Sequence, residues 1–246
     1  MKLTRTAQYT LSTLLICAGM ASAEKDTDGF ETALTIGAIF TDGNSDTANA
    51  NVGLDTKRIV GKDEFILGLD INYGESANET VTRNASGEGQ FRASLTTASY
   101  AYTGISALKD DIADVDYRVT FGPGLGTDLI RSDTTRLNVE LGGAWVAEDV
   151  GGRASSDFWA WRAAEMFNIK LSKTATIRQS VTLVPEVGDF ENFIVTAELG
   201  AESAMTERIN LRIVLQDRFD NTPAEKDGVR LEENDISLIT GLSVHL

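Results

Sequence analysis

The chain offers one histidine, one cysteine and scattered carboxylates as material for chemistry. His245 stands next to the last residue, on the opposite face of an alternating stretch from Leu242, Val244 and Leu246. A catalytic base needs a nucleophile and an orienting partner beside it. A histidine at a strand end reads more simply as a polar filler. Cys17 is the only thiol and sits inside an apolar run, so it reads as an apolar filler too. A His/Cys metal site is excluded by count.

The carboxylates are weighed in the same way. Asp42, Asn44 and Asp46 open like a calcium loop. Such a loop wants Gly at its sixth and Glu at its twelfth position, and Thr47 and Gly53 stand there. Asp, Asn and Gly in this order read as a hairpin turn. Asp110, Asp111, Asp114 and Asp116 could gather cations loosely, but solvated charge explains them. Glu198 and Glu202 could resemble a glycosidase pair. The polar face of a barrel strand explains them as well. The GPGLG run at 122–126 has no helix after it, so it is no phosphate cradle. No catalytic, cofactor-binding or metal residue is assigned, no cofactor is implied, and no enzymatic activity is expected.

The elements that would position these residues are strands. In 209–220, Ile209, Leu211, Ile213, Leu215 and Phe219 share one face. Asn210, Arg212, Gln216, Arg218 and Asp220 share the other, and Val214 and Asp217 break the rule. Successive side chains of a strand point to opposite faces, so this is a ribbon with one oily and one wet side. The pattern recurs along the chain at 31–41, 47–59, 64–74, 116–129, 135–147, 157–171, 174–187, 191–204 and 235–246. Two weaker copies lie at 90–95 and 99–108. That makes twelve ribbons, several longer than ten residues, where ordinary strands hold five or six. A bilayer demands about 9–11 tilted residues of a strand. The connections at 61–63, 131–133, 172–173 and 205–206 are short. Those at 76–83, 109–114, 148–155 and 221–233 are longer, and 188–190 is short where a long loop is due. Short turns on one rim and long loops on the other characterise outer-membrane barrels. An even strand count puts both ends of the barrel on the short-turn side.

The sequence therefore predicts an all-β, transmembrane, antiparallel up-and-down β-barrel of about 12 strands. Its glycines at 122–126 leave room on the inner face for large neighbouring side chains, and Pro123 suggests a local bulge. Tyr73, Trp145, Trp159 and Trp161 lie near ribbon ends, as an interfacial girdle does. Residues 1–23 carry Lys2 and Arg5, an apolar run at 11–20 and Ala21-Ser22-Ala23. That is a secretory signal peptide cleaved after Ala23, leaving the barrel domain at 24–246. Loss of Lys2 and Arg5 takes the formal charge from -15 to -17. So acidic a chain is a poor fit to nucleic acid, which wants clustered Lys and Arg.

Several stretches also resemble one family. They are TDGNSDT at 41–47, YGES at 73–76, Asp116-Tyr117-Arg118 followed by GPGLG, and LVPEVGDFENF at 183–193. In this order and spacing they resemble a domain-of-unknown-function family, number 481, of salt-induced outer membrane proteins. The resemblance covers nearly the whole chain after the signal. It implies a small outer-membrane barrel linked to salt stress, inserted by the barrel assembly machinery among outer-membrane lipids. It supplies no catalytic residues. Barrels of that kind commonly finish on an aromatic residue, and this chain finishes His245-Leu246.

Two functional expectations follow. The first is a non-enzymatic protein of the cell outer membrane, serving salt or osmotic stress, envelope integrity or passive permeation of an unidentified solute. The alternative is a soluble periplasmic β-sandwich or lipocalin-like binder, whose apolar face would be its core. In the first case the state of the lumen depends on which of Arg118, Arg162, Arg178, Arg212, Glu140 and Glu198 pair across it.

Overall fold

The computed structural model describes residues 30–41, 47–77, 79–226 and 228–246. The predicted signal peptide at 1–23 with its Cys17, the polar leader at 24–29 and the Asp42/Asn44/Asp46 turn lie outside the described residues.

The strands in chain order are β1 (Phe30–Thr41), β2 (Thr47–Val60), β3 (Asp63–Ser76), β4 (Glu79–Ser94), β5 (Ser99–Asp110), β6 (Val115–Arg131) and β7 (Thr135–Val150). Then come β8 (Ser156–Lys170), β9 (Ala175–Pro185), β10 (Phe193–Ala204), β11 (Ile209–Asp220), the short pair β12 (Glu225–Lys226) and β13 (Val229–Arg230), and β14 (Asn234–His245). Twelve of them close into one antiparallel barrel, with each strand beside its neighbours in sequence and β14 beside both β11 and β1. Closure pairs Leu34 with Val244 and Ile36 with Leu242. It removes the edges whose unpaired N–H and C=O groups would each cost several kcal/mol in lipid. β12 and β13 form a separate two-stranded hairpin.

The faces sort as the alternation predicts. Leu69, Leu125, Leu141, Leu199 and Leu238 point outward and are exposed, while Thr35, Asn138 and Glu140 point inward and are buried. A lipocalin-like binder or a sandwich would bury the apolar face. This molecule turns it outside, which does not favour the soluble alternative. Aromatics collect at both rims of the band. Tyr73, Tyr117 and Trp159 lie toward the long-loop rim. Phe65 and Phe91 lie toward the other, with ring centroids 4.7 Å apart. Tyr73 donates its hydroxyl hydrogen to the Glu75 carboxylate, so its oily ring and polar tip are both satisfied, as at a water interface.

The short-turn rim holds residues 61–62, 95–98, 132–134, 171–174 and 205–208. Four of these five turns share one device. A Ser or Thr in second or first place accepts backbone N–H groups through its side-chain oxygen: Thr96 from Ala98 and Ser99, Ser132 from Thr135, Ser172 from Thr174 and Ala175, Thr206 from Arg208 and Ile209. The hydroxyl replaces the Gly or Asn that a tight turn otherwise needs. This is why the turn at 95–98 works without Gly, Pro, Asn or Asp.

Three expectations are corrected. The predicted loop at 76–83 is mostly strand: β4 starts at Glu79 and pairs with β3 from Ser76 onward. Its outward face holds Val81, Ala85, Gly87, Gly89 and Phe91, too small in the middle to show an apolar rhythm. The connection at 186–192 is a real loop rather than the short 188–190 turn, which restores the asymmetry of the rims there. Pro123 causes no bulge. The β6–β7 register resumes unshifted across it, from Phe121 with Trp145 to Gly124 with Gly142. The irregularities of β6 lie at Val115/Tyr117 and Asp128/Ile130.

Candidate functional site

The inner wall is built in two unlike halves. On the β4–β8 side a single carboxylate, Glu140, is 1% exposed and gathers four side chains. Arg92 Nη2 lies 3.0 Å from its Oε1 and Arg162 Nη1 lies 2.7 Å from its Oε2. The Tyr100 hydroxyl donates to Oε1 at 2.6 Å and the Gln90 amide to Oε2 at 3.1 Å. Arg162 also donates to the Tyr102 hydroxyl at 3.0 Å. The two guanidinium groups lie over the two tyrosine rings, Arg92 at 4.8 Å and Arg162 at 5.3 Å from the centroids. Each guanidinium meets an opposite charge and a π face, and the carboxylate meets both guanidinium groups and two neutral donors.

The glycines of the GPGLG run make the space. Gly124 sits opposite Tyr102 and Gly126 opposite Tyr100. A methyl group added at either would collide with the facing ring. Gly126→Val is therefore expected to cost about 1–3 kcal/mol through overpacking. A lowered urea midpoint of the refolded barrel in lipid vesicles checks this, and an unchanged midpoint would show that the ring has another place to go.

The other half, along β1–β4 and β9–β14, is open. The cavity of about 620 Å³ that it faces is lined on this side by Asp55, Asp70, Glu88, Glu198, Arg212 and Val214, and across the lumen by Tyr102, Glu140 and Arg162 of the packed side. Glu88 is surrounded by the barrel yet exposed to its lumen. Inward glycines again clear the way: a methyl on Gly68 would come 3.1 Å from Glu88 Cγ, and one on Gly53 would come 2.8 Å from Asp70 Oδ1.

The third part is a stopper. Residues 221–233 carry the β12–β13 hairpin into the long-loop mouth. Ala224 is buried against Val115 and Val150, with Ala113 and Leu231 packed beside them. The Glu225 N–H donates to the Gly151 carbonyl at 3.0 Å, and Leu231 N–H to Ala224 at 2.9 Å. Arg118 anchors the entry to this segment, 2.6 Å from Asp220 Oδ2 and 2.7 Å from Glu148 Oε2.

The charges that decide the lumen are thus paired mostly along the wall or with the stopper. Arg162 meets Glu140, Arg118 meets Glu148 and Asp220, and Arg178 lies 3.6 Å from Glu202. Arg212 lies 2.8 Å from Asp55, and Glu198 accepts from the Gln216 amide. The remaining candidates are placed as follows. Glu198 and Glu202 face inward four residues apart on one strand, about 13 Å along the backbone, and hold different partners. That is wider than the separation of about 5–9.5 Å a glycosidase pair needs. Asp110 accepts the N–H groups of Ile112 and Ala113, both at 3.1 Å, and faces Arg218. Asp111 and Asp116 both engage Lys109. Among the described residues the His245 ring meets the Asn210 side chain alone in hydrogen-bonding distance, at 2.9 Å between Nε2 and Nδ2. Among the described residues no group of three or more His, Cys, Asp or Glu is arranged to hold a metal ion.

Sequence reasoning did not single out Arg92, Tyr100, Asp70 or Glu88. Glu88 lies on the stretch of β4 without an apolar rhythm, Arg92 lies on the weak copy at 90–95, and the spacing of Tyr100 and Tyr102 does not show which glycines oppose them.

The family model described as "Protein of unknown function, DUF481" matches residues 34–245. The chain belongs to the DUF481 family. The match begins inside β1 and ends at the last residue of β14, so it covers the closed barrel. No curated protein matches the sequence. Two of the solved structures that match the barrel are these. The translocator domain of the autotransporter NalP from Neisseria meningitidis is 12% identical, with 91% of this chain and 90% of that one covered and a TM-score of 0.51. The NanC porin is 11% identical, with 89% and 100% covered and a TM-score of 0.52. At such identities the likeness concerns the barrel alone, and this DUF481 chain has its own lumen.

Proposed function

We propose that this DUF481 protein is a non-enzymatic barrel of the cell outer membrane that provides a narrow, charged path for small solutes. The observation that carries the reading is the combination of an apolar outer face with a lumen that is charged, partly open and, among the described residues, stoppered at one mouth by the 221–233 segment. The short-turn rim faces the periplasm in this reading, and the stoppered mouth faces outward. Residues 1–23 act as the cleaved signal, and the barrel at 24–246 reaches outer-membrane lipids through the barrel assembly machinery. A part in salt or osmotic stress, or in envelope integrity, is the physiological setting that the family resemblance suggests for such a path. The fold likeness to a porin supports the reading.

Current through single refolded barrels in a planar bilayer tests it. Small steps are expected from the intact protein. Excision of 222–232 with a short Gly-Ser bridge is expected to raise the conductance severalfold, because the stopper is fastened mainly by Ala224 and by backbone hydrogen bonds. Flat traces from both forms across salt concentrations would overturn the path.

A further inference from the structure

The lumen arginines and the lumen carboxylates are not equally matched. Arg162 lies against Glu140, Arg212 against Asp55, and Arg218 lies 3.6 Å from Asp110. Among the described residues, five acids that line the same cavity make no ion pair: Asp70, Glu88, Glu198, Glu232 and Asp235. Asp70 and Glu88 sit on neighbouring strands, with Gly68 across from Glu88 and Gly53 across from Asp70. Both lean over these glycines into the open half of the barrel. Glu198 is held only by the neutral amide of Gln216. The packed half around Glu140 gives the cavity a firm far wall, where Arg92 and Arg162 share Glu140 and Arg92 also lies 3.7 Å from Glu64.

We propose that the lumen selects cations over anions, with Asp70 and Glu88 setting the preference. The inference rests on the solute path proposed above and names the class of solute. Unpaired carboxylates in a water-filled channel walled by protein and lipid focus a negative potential into it. A potential of about one kT concentrates a monovalent cation about 2.7-fold and depletes an anion as much, a ratio of about sevenfold. The arginines do not reverse this, because their fields are spent on partners within 4 Å. The acids on the stopper side, Glu232 and Asp235, also line the cavity and extend the same sign toward the mouth.

The test is the reversal potential of the full barrel under a potassium chloride gradient. The intact protein is expected to favour potassium over chloride about sevenfold. The isosteric double variant Asp70→Asn, Glu88→Gln is expected to lower the ratio by at least about twofold while the barrel still conducts. Neither side chain holds a partner, so folding should survive, and the heat-dependent shift in gel migration checks it. Conductance with chloride preference, or a cation preference that the double variant leaves in place, would overturn the selectivity and leave the path standing. Absence of conductance from both the intact and the stopper-less protein would overturn the path and this inference with it.

Discussion

Glu140→Leu is expected to destabilise the barrel by about 3–5 kcal/mol, the largest effect of any single change in the lumen. The reason lies less in the lost attraction than in what is left behind. Arg92 and Arg162 both point at this carboxylate from opposite sides. With it removed, Arg162 keeps only the Tyr102 hydroxyl, and Arg92 keeps the Gln90 side chain at 2.5 Å and Glu64 at 3.7 Å. Tyr100 keeps Asn138 at 2.8 Å. Two guanidinium groups then crowd a site enclosed by tyrosine rings, where neither can hydrate fully. Glu140→Gln keeps the shape and one acceptor, so its loss should be smaller. Urea unfolding of the protein in lipid vesicles reads the order, intact above Gln above Leu. The triple replacement of Arg92, Glu140 and Arg162 by apolar residues should recover much of the loss, because buried charge clusters are often matched by well-packed hydrophobes. If Glu140→Leu alone unfolds at the native urea concentration, the cluster is more hydrated than its burial indicates.

Much of the barrel is legible from the sequence, because the lipid-facing side of a strand must be apolar at every second place. The stretch at 209–220 matches β11 residue for residue. The strands with strong outward side chains, such as Leu137, Leu141 and Trp145 on β7, are found within a few residues of their ends. Only the end of β4 shows, as the weak copy at 90–95, because its earlier outward places hold Ala85, Gly87 and Gly89, which lipid tolerates but which carry no hydrophobic rhythm. The space made by the GPGLG glycines is readable from the run itself. The rings that fill it are not, since Tyr100 and Tyr102 come from the neighbouring strand and only the register between β5 and β6 aligns them. The same holds for the Glu140 cluster, whose other members lie 22 to 50 positions from Glu140 in sequence. Alternation shows that a residue faces inward, and the register decides what it meets there. The stopper is a special case. The 221–233 stretch reads as a long polar loop, and only its folding back onto Val115 and Val150 reveals that Ala224 and Leu231 are packing residues.

Depth governs the second large effect. Leu238→Arg is expected to cost about 2–4 kcal/mol, and Leu211→Arg distinctly less. Both leucines face outward, yet they sit at different heights. Leu238 stands near the middle of β14, opposite Leu215, and is 66% exposed. Leu211 is the third residue of β11, close to the turn at 205–208, opposite Leu242. An arginine at the first position must pull its charge through half the hydrocarbon or draw water into it. At the second it reaches the interface with its own side chain. Leu238→Arg should also reduce the folded fraction after refolding into thick-bilayer vesicles more than into thin ones, since the distance to water grows with thickness. The urea midpoints of the two variants, measured side by side in one lipid, check the difference. Equal and negligible losses would mean that neither position touches acyl chains, and the outward apolar face would then need another partner than the membrane.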